Sequence, residues 1–419
     1  MMTQAYYTGI SGLKTSSAGI DVISNNLANV NTVGFVASDY EFASLFEEAL
    51  NDASSVITTD SVGLGTRLQS TPMVEQSGSY MSSDNSTSLA VMGDGWFAVQ
   101  GAASNTPVYT RSGDFTFDVN NDLVTMDGEY VLGTKANNIS GETLTGVVES
   151  VPLGDITTQE PLRFPKNLTY PAEPTTNVEL LGNLGTDNET RTMGAELIDS
   201  EGVRNTLKIE FTQAEEQNDT GIVWNTVATV TAPDGTVLDT QSGTISFDER
   251  GALVESTLTS VNNNGTQVAL DFGTEFNGVV AIANSDITAS TISDGTPSGD
   301  LVGYDINQNG EVVATFTNGK QSSVGKVALY HFQNDQGLER ISGTKFAASA
   351  NSGDAFFYTD ANGNNINGSQ IMNYSLEGSN VDMTVSLTEL IILQRSYDSN
   401  SQVITTADEM VQKALNMDA

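Results

Sequence analysis

The chain has 419 residues, 53 acidic against 16 basic side chains and a net charge of −37, with no cysteine and a single histidine. That length holds two to four domains with their own cores. The charge opposes binding to nucleic acid or anionic lipid, and the missing cysteines exclude disulfides, thiolate metal sites and cysteine nucleophiles. The apolar fraction of 38% is modest, glycine is abundant at 39 residues and proline scarce at 9, which is the profile of a turn-rich β-protein with polar outer faces. Residues 151–300 are the most acidic stretch.

The first element is a helix over about Thr3 to Val33. Leu13, Ser16, Ile20, Ile23, Leu27 and Val30 step by three and four, which lays an apolar stripe along it. Gly34 stands where a left-handed residue ends a helix, and Phe35 follows as a packing residue. No basic stretch or continuous apolar core marks this start as a secretory signal, and no run is long enough to span a membrane. Phe42, Leu45, Phe46 and Leu50 have helical spacing, and Gly63 to Leu68 resembles a loop leading into a strand.

From about residue 76 the period changes to two. Leu89–Met92, a turn at Gly93-Asp94-Gly95, and Trp96–Val99 predict a hairpin. Val108–Arg111, Ser112-Gly113-Asp114 and Phe115–Phe117 predict another, and Leu123–Met126 follows with a turn at Asp127-Gly128. Five of the nine prolines lie between Pro152 and Pro174, which predicts an inter-domain connection. Strands are expected at Thr206–Phe211, Val223–Thr231, Thr244–Phe247 and Gln267–Phe272, then at Leu301–Ile306, Glu311–Phe316 and Val324–Phe332. Asn351–Gly368 reads as loop.

A last helix begins near Val381 or Asp382, with Ser379 and Asn380 as candidate caps. Its apolar stripe runs through Met383, Leu390, Leu393, Tyr397, Ile404, Ala407, Val411 and Ala414. The fold expected is mainly β with α-helical termini: nested, antiparallel, barrel-like β domains and a paired, coiled-coil-like helical domain from the two ends. The domains would be 1–35 with 375–419, a connecting segment of 36–75 with 365–374, a first β domain of 76–150 with 298–364, and an inserted outer β domain of 151–297.

Catalytic chemistry finds little support. His331 sits in an apolar strand, no phosphate loop or nucleophile elbow occurs, and the many acids pair by chance, so no enzyme is expected and no cofactor. Asp305-Ile306-Asn307-Gln308-Asn309-Gly310 matches the first half of a calcium loop, but the twelfth position is Phe316 and the flanks are strands. Hairpin turns explain it as well, because Asn, Asp and Gly tolerate left-handed backbone.

The two ends carry longer motifs. Asn25, Asn26 and Asn29 in Ser24–Asn29, followed by Thr32-Val33-Gly34-Phe35, resemble the signature of bacterial flagellar rod and hook proteins. Asn380, Val381 and Asp382, then Gln394, Arg395, Tyr397, Asn400 and Asp408, resemble the other end of the same family. Residues 60–135 and 295–345 are similar to the hook branch; over 155–290 the resemblance is weak. The resemblance implies a structural subunit that leaves the cell unfolded through the flagellar type III apparatus and polymerises with itself into a curved hollow tube. That tube would be a flexible joint carrying torque from rod to filament.

Its implied partners are further copies of the chain, the distal rod protein, and the hook cap and hook–filament junction proteins; nucleic acid and membrane insertion are not among them. Leu13, Ile20, Ile23, Leu27, Val30, Leu390, Leu393, Tyr397, Ile404 and Val411 would form the subunit interface, the helices ordering when neighbours supply the seam. Ser386 stands where relatives carry an acid, and a cysteine-derived cross-link is impossible. A distal rod subunit, or a secreted calcium-dependent adhesin-like β-protein, stays open as an alternative. The asparagines at 25, 26, 29 and 31 would serve inter-subunit hydrogen bonds or a polar channel lining.

Overall fold

The computed structural model describes residues 2–45, 48, 49, 61, 62, 64–102, 104, 106–215, 221–283, 285, 286 and 288–417, with backbone alone at 2–4, 48, 49, 61, 62 and 417. Phe46, Leu50 and Gly63 lie outside these residues. The chain is mostly β, with helix α1 at Met2–Ala28 and helix α2 at Met383–Met417.

Between them lie two β bodies, one nested in the other. The inner body is a fifteen-stranded, mainly antiparallel sheet system with a smaller cluster around Trp96, Tyr330 and Phe346 and one large core. Leu89, Phe97, Phe115, Leu123 and Val131 meet Tyr304, Val312, Phe316, Val327 and Ile371 there. The halves come from both sides of the insertion: strand Trp96–Gln100 pairs with Leu329–Tyr330, and Tyr130–Lys135 with Gln321–Val327.

The outer body packs a five-stranded antiparallel meander against a six-stranded sheet. Strand Arg204–Gln213 shows why it folds so: Asn205, Leu207, Ile209 and Phe211 point inward and their neighbours outward. Trp224, Ile245, Val268 and Val279 complete this core.

Several expectations change. Leu89–Met92 does not pair with Trp96–Gln100 across the Gly93–Gly95 turn. It pairs with Gln370–Asn373, while Trp96–Gln100 pairs with Val108–Thr110. Likewise Phe115–Phe117 pairs with Leu123–Thr125 and not with the strand before it. Trp96–Gln100 and Phe115–Phe117 each pair with the strand that follows, while Leu89–Met92 finds a better partner far along the chain. The proline-bearing stretch is no free connector either. Leu162, Phe164, Leu168 and Tyr170 are buried in the inner core.

Phe42 lies in strand Glu41–Ser44, paired with Thr66–Ser70, and the N–H of Leu45 donates to Gly65 O at 2.8 Å. At Phe42 and Leu45 the helical spacing is overridden by strand pairing.

The Asx turns have one design. Asp118, Asp199, Asp248, Asn307 and Asp360 each accept, through Oδ1, the N–H groups two and four residues on. At the calcium-like segment Asn307 also donates to Glu311 Oε2 at 3.1 Å, and Asp305 accepts from the Ser86 hydroxyl at 2.7 Å. These oxygens hold the chain's own hairpins together. Among the described residues no group of three or more His, Asp or Glu is placed to hold a metal ion. No described helix is long and apolar enough to cross a membrane.

Candidate assembly site at the paired termini

Helices α1 and α2 run antiparallel in one chain. Contacts advance along α1 as they retreat along α2: Gly9 faces Ile404, Gly12 faces Asn400, and Gly19 faces Leu393. Between them the Ser16 and Ser396 hydroxyls are 3.3 Å apart. The seam is built on missing side chains. A Cβ on Gly9 would stand 2.8 Å from Ile404 Cγ1, and one on Gly12 2.6 Å from Asn400 Nδ2. Small residues at steps of three and four let the two backbones approach closely. Seeking apolar residues alone passes over Gly9, Gly12 and Gly19; their spacing was the available signal.

The expected interface residues divide. Ile23 and Leu393 are buried. Leu13, Ile20 and Leu27, seven apart, are half-buried beside the seam, as are Val30, Leu390 and Ile404. Tyr397 and Val411 are exposed. A single chain therefore supplies part of the partner that the helices need, and leaves the rest of their apolar surface open. Helix α2 carries a further stripe, Val385, Ile392, Val403 and Met410, spaced 7, 11 and 7 and fully on one side of it. Ile392 is 59% exposed. Gln394, Arg395 and Asp408 are exposed on α2, and Asp408 Oδ2 accepts from Gln412 at 3.1 Å.

The helix ends differ from expectation. Helix α1 stops at Ala28, and residues 29–32 form turns in which Asn29 N–H reaches Asn26 O at 3.1 Å. Gly34 is left-handed at φ 67°, yet it lies beyond the helix and donates to Glu377 O at 2.8 Å. Asp382, rather than Ser379 or Asn380, caps α2; its Oδ1 accepts Thr384 N–H at 2.7 Å and Val385 N–H at 3.0 Å. Val381 is half-buried just before it.

The motif asparagines Asn25, Asn26, Asn29 and Asn380 make bonds inside the subunit. Asn26 pairs with the Ser38 backbone in both directions, at 2.7 and 3.1 Å. Asn29 donates to Asn25 O at 2.9 Å and accepts from Thr32 at 3.1 Å. Asn31 is exposed. Asn380 stitches three segments: it donates to Val74 O and Gln76 O at 2.9 and 2.8 Å and accepts Ala37 N–H at 2.6 Å.

Together these bonds fix the helix pair to the inner body. Phe35 is buried under the Arg340 guanidinium, 5.2 Å from its ring, and Arg340 donates to Val36 O. Glu377, 5% exposed, receives Gly78 N–H at 3.2 Å, with Arg111 Nη1 at 3.6 Å. Arg111, Arg340 and Glu377 are too far apart in sequence for any motif to link them.

Burial raises the Glu377 carboxyl above its ordinary value of 4.5, and the Arg111 charge and Gly78 amide only partly offset this. Between that value and the raised one, the native chain holds a proton that the unfolded chain has released. The stabilising contribution is whole below 4.5 and is lost as pH rises through the folded pKa. Glu377→Gln should therefore flatten this part of the stability profile. Melting temperatures of both proteins between about pH 5 and 7.5 give the comparison, and parallel curves would refute it.

Family profiles match three parts of the chain: "Flagella basal body rod protein" over residues 7–35, "Flagellar hook protein FlgE/F/G D1 domain" over 90–173, and "Flagellar basal body rod FlgEFG protein C-terminal" over 372–417. The first and last cover the two helices; the middle one covers half of the inner body. The chain belongs to the axial proteins of the bacterial flagellum, the family of rod and hook subunits. Its similarity to the flagellar hook protein FlgE of Borreliella burgdorferi is 26% identity over 457 residues, covering 99% of this chain and 100% of that one. With the FlgE proteins of Escherichia coli K12 and Salmonella typhimurium it is 26% and 27% identical, again over 99% of this chain and 100% of theirs. Within the family the chain is a hook subunit. The solved Helicobacter pylori flagellar hook protein FlgE2 shares the fold, with a TM-score of 0.50 and 16% identity over 71% of this chain and 100% of that one.

Proposed function

We propose that the subunit polymerises through its helix pair into a curved hollow tube, a flexible joint that carries torque from rod to filament. The observation that carries this is the division of α2 into faces. One face packs on α1 through Leu393, Asn400 and Ile404. Beside it Val385, Ile392, Val403 and Met410 lie bare to solvent. The face opposite α1 is dominated by polar side chains, among them Thr388, Arg395, Gln402, Thr406 and Glu409, all exposed. A helix with a backing helix, an unsatisfied apolar flank and a polar front fits a ring of copies around a wet bore. Heterologous contacts of this kind do not close, so they grow a filament.

The ten expected interface residues serve this reading in two groups. Ile23, Leu393 and Ile404 hold the pair within a subunit. Leu13, Ile20, Leu27, Val30, Leu390, Tyr397 and Val411 meet neighbours. The acidic outer bodies touch weakly and slide as the tube bends. The distal rod protein, the hook cap and the hook–filament junction proteins meet the ends of the tube, and the subunit reaches it through the type III export apparatus.

Negative-stain electron microscopy of the full chain in concentrated salt tests this. Curved hollow tubes are expected. Straight tubes would favour a rod subunit. Monodisperse particles stabilised by calcium would favour the adhesin-like alternative.

A further inference from the structure

Helix α1 has apolar surface on two sides, and α2 covers one of them. Its seam residues Gly9, Gly12 and Gly19 face α2. At about 100° per residue, Tyr7, Ile10, Ser11 and Lys14 project from the opposite side. A groove of about 460 Å³ lies there, between α1 and strand Thr66–Ser70. Tyr7, Ile10, Leu45, Leu64 and Leu68 supply its apolar lining. Tyr7 is 66% exposed and the other four are half-buried. The groove is a fixed feature, because helix and strand are tied together. Thr15 Oγ1 donates to Thr66 O at 3.2 Å, and Thr66 N–H donates to Ser11 Oγ at 3.3 Å.

Two bases, Lys14 and Arg67, also line the groove, and among the described residues no acid does. Both are exposed. Neither side chain closes an ion pair or donates a hydrogen bond among the described residues. In a chain of net charge −37, an apolar groove edged with positive charge calls for an apolar surface that carries an acid. The last turns of α2 have one. Asp408, Val411 and Leu415 stand three and four residues apart and share one face. All three are exposed, Leu415 at 68%. Lys413 projects from the far side of the helix.

Within one chain α2 lies across α1 from the groove and cannot enter it. We propose that the groove receives the Asp408–Leu415 face of α2 from a second copy, with Val411 and Leu415 against the apolar lining and Asp408 beside Lys14 and Arg67. The contact rests on the polymer proposed above and adds to it which two surfaces of successive copies meet. Groove and helix face are different patches, so each copy that docks still presents one of them unfilled, and addition continues.

The chain has no cysteine, so introduced thiols report alone. Full-length Tyr7→Cys and Leu415→Cys chains, one of them tagged, are assembled together and treated with a short bismaleimide. Cross-linked heterodimers are expected in tubes and not in the unpolymerised mixture. Tyr7→Cys with Ile392→Cys is the comparison pair, since Ile392 lies on a different face of α2. An equal yield from that pair would put another part of α2 in the groove and overturn the contact. A chain with Lys14→Glu and Arg67→Glu should give several-fold fewer tubes, and adding Asp408→Lys to it should restore them, which damage to the fold would not allow. Normal assembly of the charge-reversed chain overturns the contact as well. Tubes that lack the Tyr7–Leu415 cross-link sink the contact alone, whereas no tubes from the wild-type chain would sink the polymer and the contact with it.

Discussion

Leu393→Asp should abolish tube formation while leaving both β bodies folded. Leu393 is 4% exposed and sits 3.0 Å from where a Cβ on Gly19 would be, so the seam has no room for the water that a carboxylate needs. Losing the buried side chain and stranding a charge should cost at least about 3 kcal/mol, more than a two-helix contact can spare. The β cores share no residue with this seam: the clusters around Phe97 and Trp224 lie wholly between the helices in sequence. Sedimentation and electron microscopy read assembly, and near-ultraviolet circular dichroism reads the cores. Normal tubes from the variant would end the case for the helix pair as the assembly device.

Gly34→Val should uncouple the helix pair from the inner body. At φ 67° a β-branched residue is strained by about 1–2 kcal/mol. Its Cβ would also collide with the Ser112 backbone. The chain must then swing out, which breaks the Gly34–Glu377 hydrogen bond and pulls Phe35 from under Arg340. Hydrogen exchange should rise sharply over residues 30–38 and 375–382, and tube yield should fall several-fold. Wild-type exchange in both segments would show that the junction tolerates a rearranged path and is not a fixed mount.

Where a strand buries one face, its period showed in the sequence. Arg204–Gln213 and Gly221–Thr231 lie where alternation places them, a few residues longer than read. The partner of a strand was a different matter. Leu89–Met92 and Trp96–Gln100 flank a sound turn, but Leu89–Met92 finds its mate at Gln370–Asn373 and Trp96–Gln100 adds Leu329–Tyr330 to its nearer partner Val108–Thr110, and no local pattern states those preferences. The termini were legible as helices with apolar stripes and as a pair, while the residues that make their closest contact were not. It depends on glycines, which carry no hydropathy signal. Asn26 and Asn380 stood out by motif, but their work became visible only once Ser38, Val74 and Gln76 were brought to them.

The nesting also dictates an order of events. Helix α1 ends up against a helix made from the final residues, and Trp96–Gln100 against Leu329–Tyr330. The outer meander, by contrast, joins strands that follow one another directly. A chain threaded out from its N-terminus can therefore complete its most central insertion first and its two ends last. Contacts of such long sequence separation are slow to close. On the export route and polymer proposed above, a newcomer would offer only half a helix pair until α2 has emerged, so its docking would wait on that helix.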